Sequence, residues 1–148
     1  VPNPERFVNV PFPLRYKEWA ATAARTPEDT MIRLSMITID TPDARALAAW
    51  WADRLGGEVV QDVDGWFCMV QAPSSPVALG FQKVDTPTPG KNRVHLDLDR
   101  TPDIDRDALV AEWTGAGATH LGRRGEEGFS WDTFADPDGN EFCIGDPH

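Results

Sequence analysis

The strongest constraint on this chain is an internal repeat. Thr41-Pro42-Asp43 recurs as Thr101-Pro102-Asp103, 60 residues later. Each copy follows a short apolar run and precedes a segment with apolar residues at helical spacing. A repeat of this length means that one supersecondary unit is used twice, and it outweighs any single propensity argument.

The first copy begins with Leu34–Asp40, short, apolar and partly β-branched, which predicts a strand. Thr41 is a candidate N-cap and Pro42 suits the first helical position. Ala44–Leu55 carries Leu47, Trp50, Trp51 and Leu55 on one helical stripe, and Gly56-Gly57 ends it. Three strand-like runs follow, at Glu58–Val63, Trp66–Gln71 and Val77–Val84. Asp64-Gly65 between the first two is a hairpin signal. Residues 85–92, with Pro87, Pro89 and Gly90, read as a loop.

The second copy repeats this order. Arg93–Asp99 alternates as a strand, a helix is expected from about Ile104 to Gly115, and strands are expected at His120–Gly122, Phe129–Ala135 and Glu141–Ile144. The turn Asp136-Pro137-Asp138-Gly139 separates the last two. The unit is therefore β-α-β-β-β, twice. Residues 1–32 differ: Pro2, Pro4, Pro11 and Pro13 interrupt them, a short helix is expected over 14–25, and 26–30 read as a linker. The division expected is an N-terminal arm over 1–32 and one domain over 33–148, with modules at about 33–86 and 92–146.

Charge narrows the function classes. Fourteen Lys and Arg against 24 Asp and Glu give a formal charge of −10. That argues against nucleic acid and anionic membrane surfaces as partners. No apolar run approaches the roughly 18–20 residues of a membrane span. Two cysteines, Cys68 and Cys143, are too few for a disulfide scaffold, and a cytoplasmic location is expected.

These words in this order, Thr41-Pro42-Asp43 with Leu55-Gly56-Gly57, then Arg93-Val94-His95-Leu96-Asp97-Leu98, then Asp136-Pro137-Asp138-Gly139-Asn140-Glu141-Phe142, resemble the vicinal oxygen chelate superfamily. That superfamily holds glyoxalase I, extradiol dioxygenases and bleomycin-resistance proteins. The match is nearest to its small bacterial glyoxalase-like branch. The resemblance implies an α+β fold in which two βαβββ modules form an open barrel around a cleft, with the helices outside. It also implies pairing into a homodimer. Metal-using members take a His or Glu from the first and last strand of each module. The matching positions here are Ser35 or Met36, Gly80, His95 and Cys143. Only His95 is a usual ligand, so no metal is expected; the alternative is a divalent ion at His95 and Cys143.

Strand parity then selects the candidate site. Val94, Leu96 and Leu98 should lie under a helix, which places His95 and Asp97 on the opposite face. Glu141 and Cys143 share a face of the last strand. An imidazole beside a carboxylate is a workable general base. His95, Asp97 and Glu141 are the candidate catalytic residues; Gln82, Trp66, Trp131 and Cys143 are the candidate ligand contacts. The missing side chain at Gly80 is expected to leave open room. Three functions stay open: metal-independent acid–base chemistry on a small oxygenated substrate, sequestration of a small molecule without turnover, and an interaction or regulatory module with a vestigial cleft.

Overall fold

The computed structural model describes residues 34–126 and 128–147. The arm helix and linker expected within residues 1–32 lie outside the described residues, as do Glu127 and His148. The element order is β1 (Met36–Thr41), α1 (Ala44–Arg54), β2 (Glu58–Val63), β3 (Phe67–Gln71), β4 (Ala78–Lys83), β5 (Asp97–Asp99), α2 (Arg106–Gly115), β6 (Thr119–Glu126), β7 (Phe129–Ala135) and β8 (Glu141–Gly145). The strands form two four-stranded sheets, ordered β1-β4-β3-β2 and β5-β8-β7-β6. In both, the first strand runs parallel to the last, and the other neighbours are antiparallel. The duplicated βαβββ unit of an α+β fold is therefore present. Among the described residues no strand pair joins the sheets, so no closed barrel forms.

The hairpin after β2 follows from its sequence. Asp64 and Gly65 have φ of 49° and 74°, the left-handed pair that a two-residue turn needs to match strand twist. Asp62 accepts the Gly65 backbone N–H at 2.8 Å and pins the turn.

The helix starts differ from expectation. Thr41 ends β1, and Asp43 caps α1 by accepting the Ala46 N–H at 3.1 Å. Thr41 accepts the Asp43 N–H and donates its hydroxyl to Asp138. In the second module Thr101-Pro102-Asp103 caps nothing; Asp105 is the N-cap, accepting from Ala108 N–H. A carboxylate spaced three residues ahead of an orphan N–H wins the cap in both places.

The second correction concerns the strand expected over Arg93–Asp99. Hydrogen-bonded strand begins only at Asp97, and Val94 is 68% exposed rather than packed under a helix. Asn92 explains the short strand. Its side-chain oxygen accepts the Glu141 N–H at 2.7 Å, and its amide donates to the Glu141 and Val94 carbonyls. The backbone groups of β8 that a longer β5 would need are thus taken by a side chain.

One core lies on the helix side of both sheets. Leu47, Trp51, Cys68, Val70 and Phe81 of the first module belong to the same cluster as Trp113, Phe134, Phe142 and Ile144 of the second. Leu96 and Leu98 pack against it. Trp50 donates its indole N–H to the Ala116 carbonyl at 2.7 Å, and Trp51 donates to Asp136 at 3.1 Å. Asp136 also accepts from the Asn140 backbone and side chain and from the Asp138 N–H.

A polar cluster with no sequence signature ties α2 to its sheet. Asp132, buried on β7, accepts two bonds from Arg106, at 2.8 and 2.6 Å, and one from His120 at 2.8 Å. Arg123 reaches both Asp132 and Asp146, and Arg100 adds to Asp146. Burial works to raise the Asp132 pKa, but Arg106 and His120 outweigh it and hold the carboxyl below its usual range. Arg123 and Ser130 hold Asp146 below that range more strongly.

Both depressed carboxyls stabilise the fold fully above the unfolded value of about pH 4, and that stability is lost as pH falls through their folded values. Asp132→Asn is expected to cost about 2 kcal/mol at pH 7, less than a fully buried pair because the arginines reach water. Urea midpoints at pH 7 and pH 3 check this: the acid-induced drop should be smaller in the variant than in the wild type. Asn92→Ala should cost about 1–2 kcal/mol through three lost hydrogen bonds. It should also speed amide exchange at Glu141, read by hydrogen–deuterium exchange.

Candidate functional site

Register places the site. In the parallel β5–β8 ladder Asp97 lies opposite Cys143, and Asp99 opposite Gly145. In the β7–β8 ladder Thr133 lies opposite Cys143 and Trp131 opposite Gly145. Phe134 and Phe142 pair on the helix side, in the core. Alternation therefore puts Trp131, Thr133, Glu141 and Cys143 on the helix-free face. Asp97 shares that face, and so does His95, in the segment just before β5.

The structure brings three of the expected residues together. One ligand atom each of His95, Asp97 and Cys143 lies within 4.8 Å of the others. His95 and Asp97 are exposed and Cys143 is half-buried. Among the described residues neither His95 nor Asp97 forms an ion pair, and His95 makes no hydrogen bond, so Asp97 does not orient the imidazole by a direct bond here. The carboxylate faces the thiol instead. Burial first, and Asp97 after it, push the Cys143 pKa up, while the Thr133 hydroxyl, 3.9 Å from the sulfur, works the other way.

The other expected residues are placed differently. Glu141 shares the face but is paired with Lys91 at 2.8 Å. Gln82 spends its amide on the Trp66 and Lys83 carbonyls, at 2.8 and 3.2 Å. Trp66 sits in the β2–β3 turn, 59% exposed, with the Lys83 ammonium 5.4 Å from its ring centroid. Trp131 stays on the helix-free face beside Phe129, ring centroids 5.5 Å apart. Sequence reading missed Thr133, which lies opposite Cys143 on the neighbouring strand; the parity of β7 was the available signal.

The first module offers no comparable group. The room expected at Gly80 is filled: an added Cβ would lie 2.9 Å from Met36 Sδ, 2.9 Å from Thr38 Oγ1 and 3.0 Å from the Phe67 ring. The four-point metal site that the superfamily uses therefore finds no nitrogen or carboxylate donors at positions 36 and 80. Among the described residues only the second module holds a donor set, of one nitrogen, one oxygen and one sulfur. That set suits zinc-like ions, which accept imidazole, carboxylate and thiolate together.

A separate cavity of about 190 Å³ opens at the Asp136–Gly139 turn, lined by Asp40, Pro42, Pro87, Thr88, Asp138 and Asn140 among others. None of the expected site residues lines it. No described helix is long and apolar enough to cross a membrane.

Comparison with known proteins gives the fold a family. No curated protein matches the sequence. A glyoxalase/bleomycin resistance protein/dioxygenase family enzyme from Burkholderia phytofirmans PsJN superposes with a TM-score of 0.66 at 22% identity, over 78% of this chain and 98% of that one. The genomically encoded fosfomycin resistance protein FosX from Listeria monocytogenes superposes with a TM-score of 0.65 at 13% identity, over 80% and 96%. Lactoylglutathione lyase from Agrobacterium tumefaciens does so with 0.59 at 15%, over 77% and 92%. The sequence model of the glyoxalase-like domain matches residues 36–145, and with the duplicated βαβββ sheets this makes the chain a member of the glyoxalase-like family of the vicinal oxygen chelate superfamily.

Proposed function

We propose that the chain binds a small oxygenated organic molecule on the helix-free face of its second module, with His95 as the principal polar contact and proton acceptor. One observation carries the reading: the β5–β8 register gathers His95, Asp97 and Cys143 on a face that the core does not use. The imidazole has no competing hydrogen bond among the described residues, so a nitrogen is free to meet a ligand hydroxyl or an acidic C–H. The Asp97 carboxylate, within 4.8 Å, adds a second polar group to the same face. Trp131 supplies an apolar wall. Glu141, held by Lys91, serves as a fixed polar edge rather than as a mobile base.

Sequestration without turnover is the second reading. It is favoured by the missing hydrogen bond between Asp97 and His95, since a base that nothing orients is a poor catalyst. The chain operates in the cytoplasm on this proposal, and its partners are a small molecule and a second copy of itself. The edge strands support pairing. All six residues of β2 are exposed, with Val59, Val60 and Val63 at 42%, 51% and 47%. An apolar, unpaired strand edge is a surface that proteins normally cover.

The reading is checked by native mass spectrometry of the purified chain, followed by calorimetry and product analysis with lactoylglutathione and fosfomycin as first probes. A co-purified or titrated small molecule should bind at one equivalent per chain. His95→Ala should weaken it tenfold or more, about 1.4 kcal/mol. The same variant should lose about 1 kcal/mol or less of stability, because the side chain is exposed and leaves no core cavity. Retained affinity in His95→Ala, or its unfolding, refutes the reading. For assembly, light scattering at tens of micromolar should give the dimer mass, and Val60→Lys with Val63→Lys should give the monomer. A wild-type monomer refutes the pairing.

A further inference from the structure

We infer that Arg124 is the anion anchor of the helix-free face, and that the molecule held there is an extended hydroxycarboxylate, with its carboxylate on Arg124 and its hydroxyl on His95 and Asp97. This assignment rests on the ligand-binding use of that face proposed above, and it names the chemical class of the ligand. Register puts the guanidinium there. In the β6–β7 ladder Arg123 lies opposite Asp132, Arg124 opposite Trp131 and Gly122 opposite Thr133. Asp132 is buried and bonded to Arg106 of α2, so that side of the sheet faces the helices. Alternation sends Arg124 and Gly122 to the other face, with Trp131 and Thr133. Two rows then cross the face from β6 to β5. One runs Gly122, Thr133, Cys143, Asp97, and the other runs Arg124, Trp131, Gly145, Asp99.

The guanidinium is held in place. Its Nη1 donates to the Arg123 carbonyl at 3.1 Å and its Nη2 to the Leu121 carbonyl at 3.2 Å. Leu121 is the residue that the register shift between His120 and Gly122 leaves without a ladder partner. Gly122 makes the room, since an added Cβ there would stand 2.8 Å from Arg124 Nη1. The charged end therefore lies over Gly122, one ladder spacing from Thr133 and turned along the row that leads to Cys143 and Asp97. These bonds use two of its five N–H groups and leave its charge unopposed. Arg45, Arg54, Arg100, Arg106 and Arg123 each meet a carboxylate. Arg124 meets none among the described residues, in a chain of formal charge −10.

The far edge of the same face has the opposite character. Asp97 and Asp99 on β5 are exposed and carry no ion pair among the described residues. The Asp99 carboxylate leans inward, 2.8 Å from where a Cβ on Gly145 would stand. Glu141 is neutralised by Lys91. An oxyanion is thus drawn to β6, where a guanidinium fork can meet both of its oxygens, and is repelled from β5. A hydroxyl suits β5, where Asp97 and the His95 imidazole can accept its proton. Trp131, between the two ends, offers a ring to an apolar body. Three ladder spacings of about 4.8 Å separate β6 from β5, so the two end groups need a body of several bonds between them.

The test uses the full chain and, as probes, ω-hydroxycarboxylates from hydroxybutanoate to hydroxyoctanoate, each beside the diol of the same length. Affinities are read by saturation-transfer NMR titration. At its best length the acid should bind at least tenfold tighter than its diol. Arg124→Ala should erase that advantage and leave the diol unchanged, and Arg124→Lys, a point charge in place of a fork, should keep only part of it. Arg93→Ala removes an exposed positive charge elsewhere and should leave the advantage intact. If Arg124→Ala does not fold, Arg124→Gln decides, since it is neutral but can still donate to the Leu121 carbonyl. His95→Ala should weaken acid and diol alike. An acid no tighter than its diol at every length, an advantage that survives loss of the Arg124 charge, or an equal loss in Arg93→Ala each overturns the anchor, while diol binding that depends on His95 keeps the proposed function. An advantage lost with Arg124 beside full affinity in His95→Ala keeps the anchor and refutes the role given to His95.

Discussion

The indole of Trp51 is the contact on which the rest of the described structure depends. It sits 1% exposed on α1, in the first module, and donates its N–H to the buried carboxylate of Asp136, in the second. Its ring meets Phe142 edge-on at 5.1 Å and Trp113 at 6.5 Å. A single side chain therefore satisfies a buried charge and joins two aromatic layers. Asp136 is also the hub of the β7–β8 turn, where it accepts four bonds from Asp138 and Asn140. That turn sets the register of β8, and the register sets Cys143 opposite Asp97. The candidate site is thus a consequence, two steps removed, of how the first helix is anchored.

The same chain of dependence explains what could be read in advance. The repeat exposed the fold because each unit buries its apolar face only by stacking strands under one helix, which forces matching periodicities at matching distances. Parity exposed the site because alternation on a strand is geometric rather than statistical: Leu96 and Leu98 in the core require Asp97 on the other face. Local competition was harder to see. Asp43 took the cap from Thr41, and Asp105 caps the second helix, since both types suit the position and the backbone angle decides. Asn92 shortened β5 through a contact 49 residues away in sequence, which no local pattern encodes. Val94, expected in the core, is exposed for the same reason.

The arginine and aspartate cluster around Asp132 marks a different limit. Arg100, Arg106, His120, Arg123, Asp132 and Asp146 come from five segments, and each alone looks like an ordinary surface charge. Their convergence exists only after β6 and β7 pair. It fills a place where the apolar face of the second sheet runs out: Ser130 and Asp132 continue the row that Phe134 starts in the core. The charges are affordable there because each carboxylate meets at least two cationic groups.

The two modules finally differ in what they do with the same position. In the first, the absent side chain at Gly80 lets Met36, Thr38 and the Phe67 ring close over the strand, and the helix-free face there is packed with a thioether, a hydroxyl and an aromatic ring. In the second, Cys143 stands where the fourth strand of the module crosses Asp97, and the neighbouring positions carry Thr133, Glu141 and His95. Duplication supplies equivalent backbones, so the chemistry is decided by side-chain volume and donor type. A glycine with large neighbours ends as filled space. A small thiol beside a carboxylate and an imidazole unpaired among the described residues remains accessible and polar. This asymmetry, rather than the fold the two modules share, confines the candidate chemistry of the described chain to one sheet.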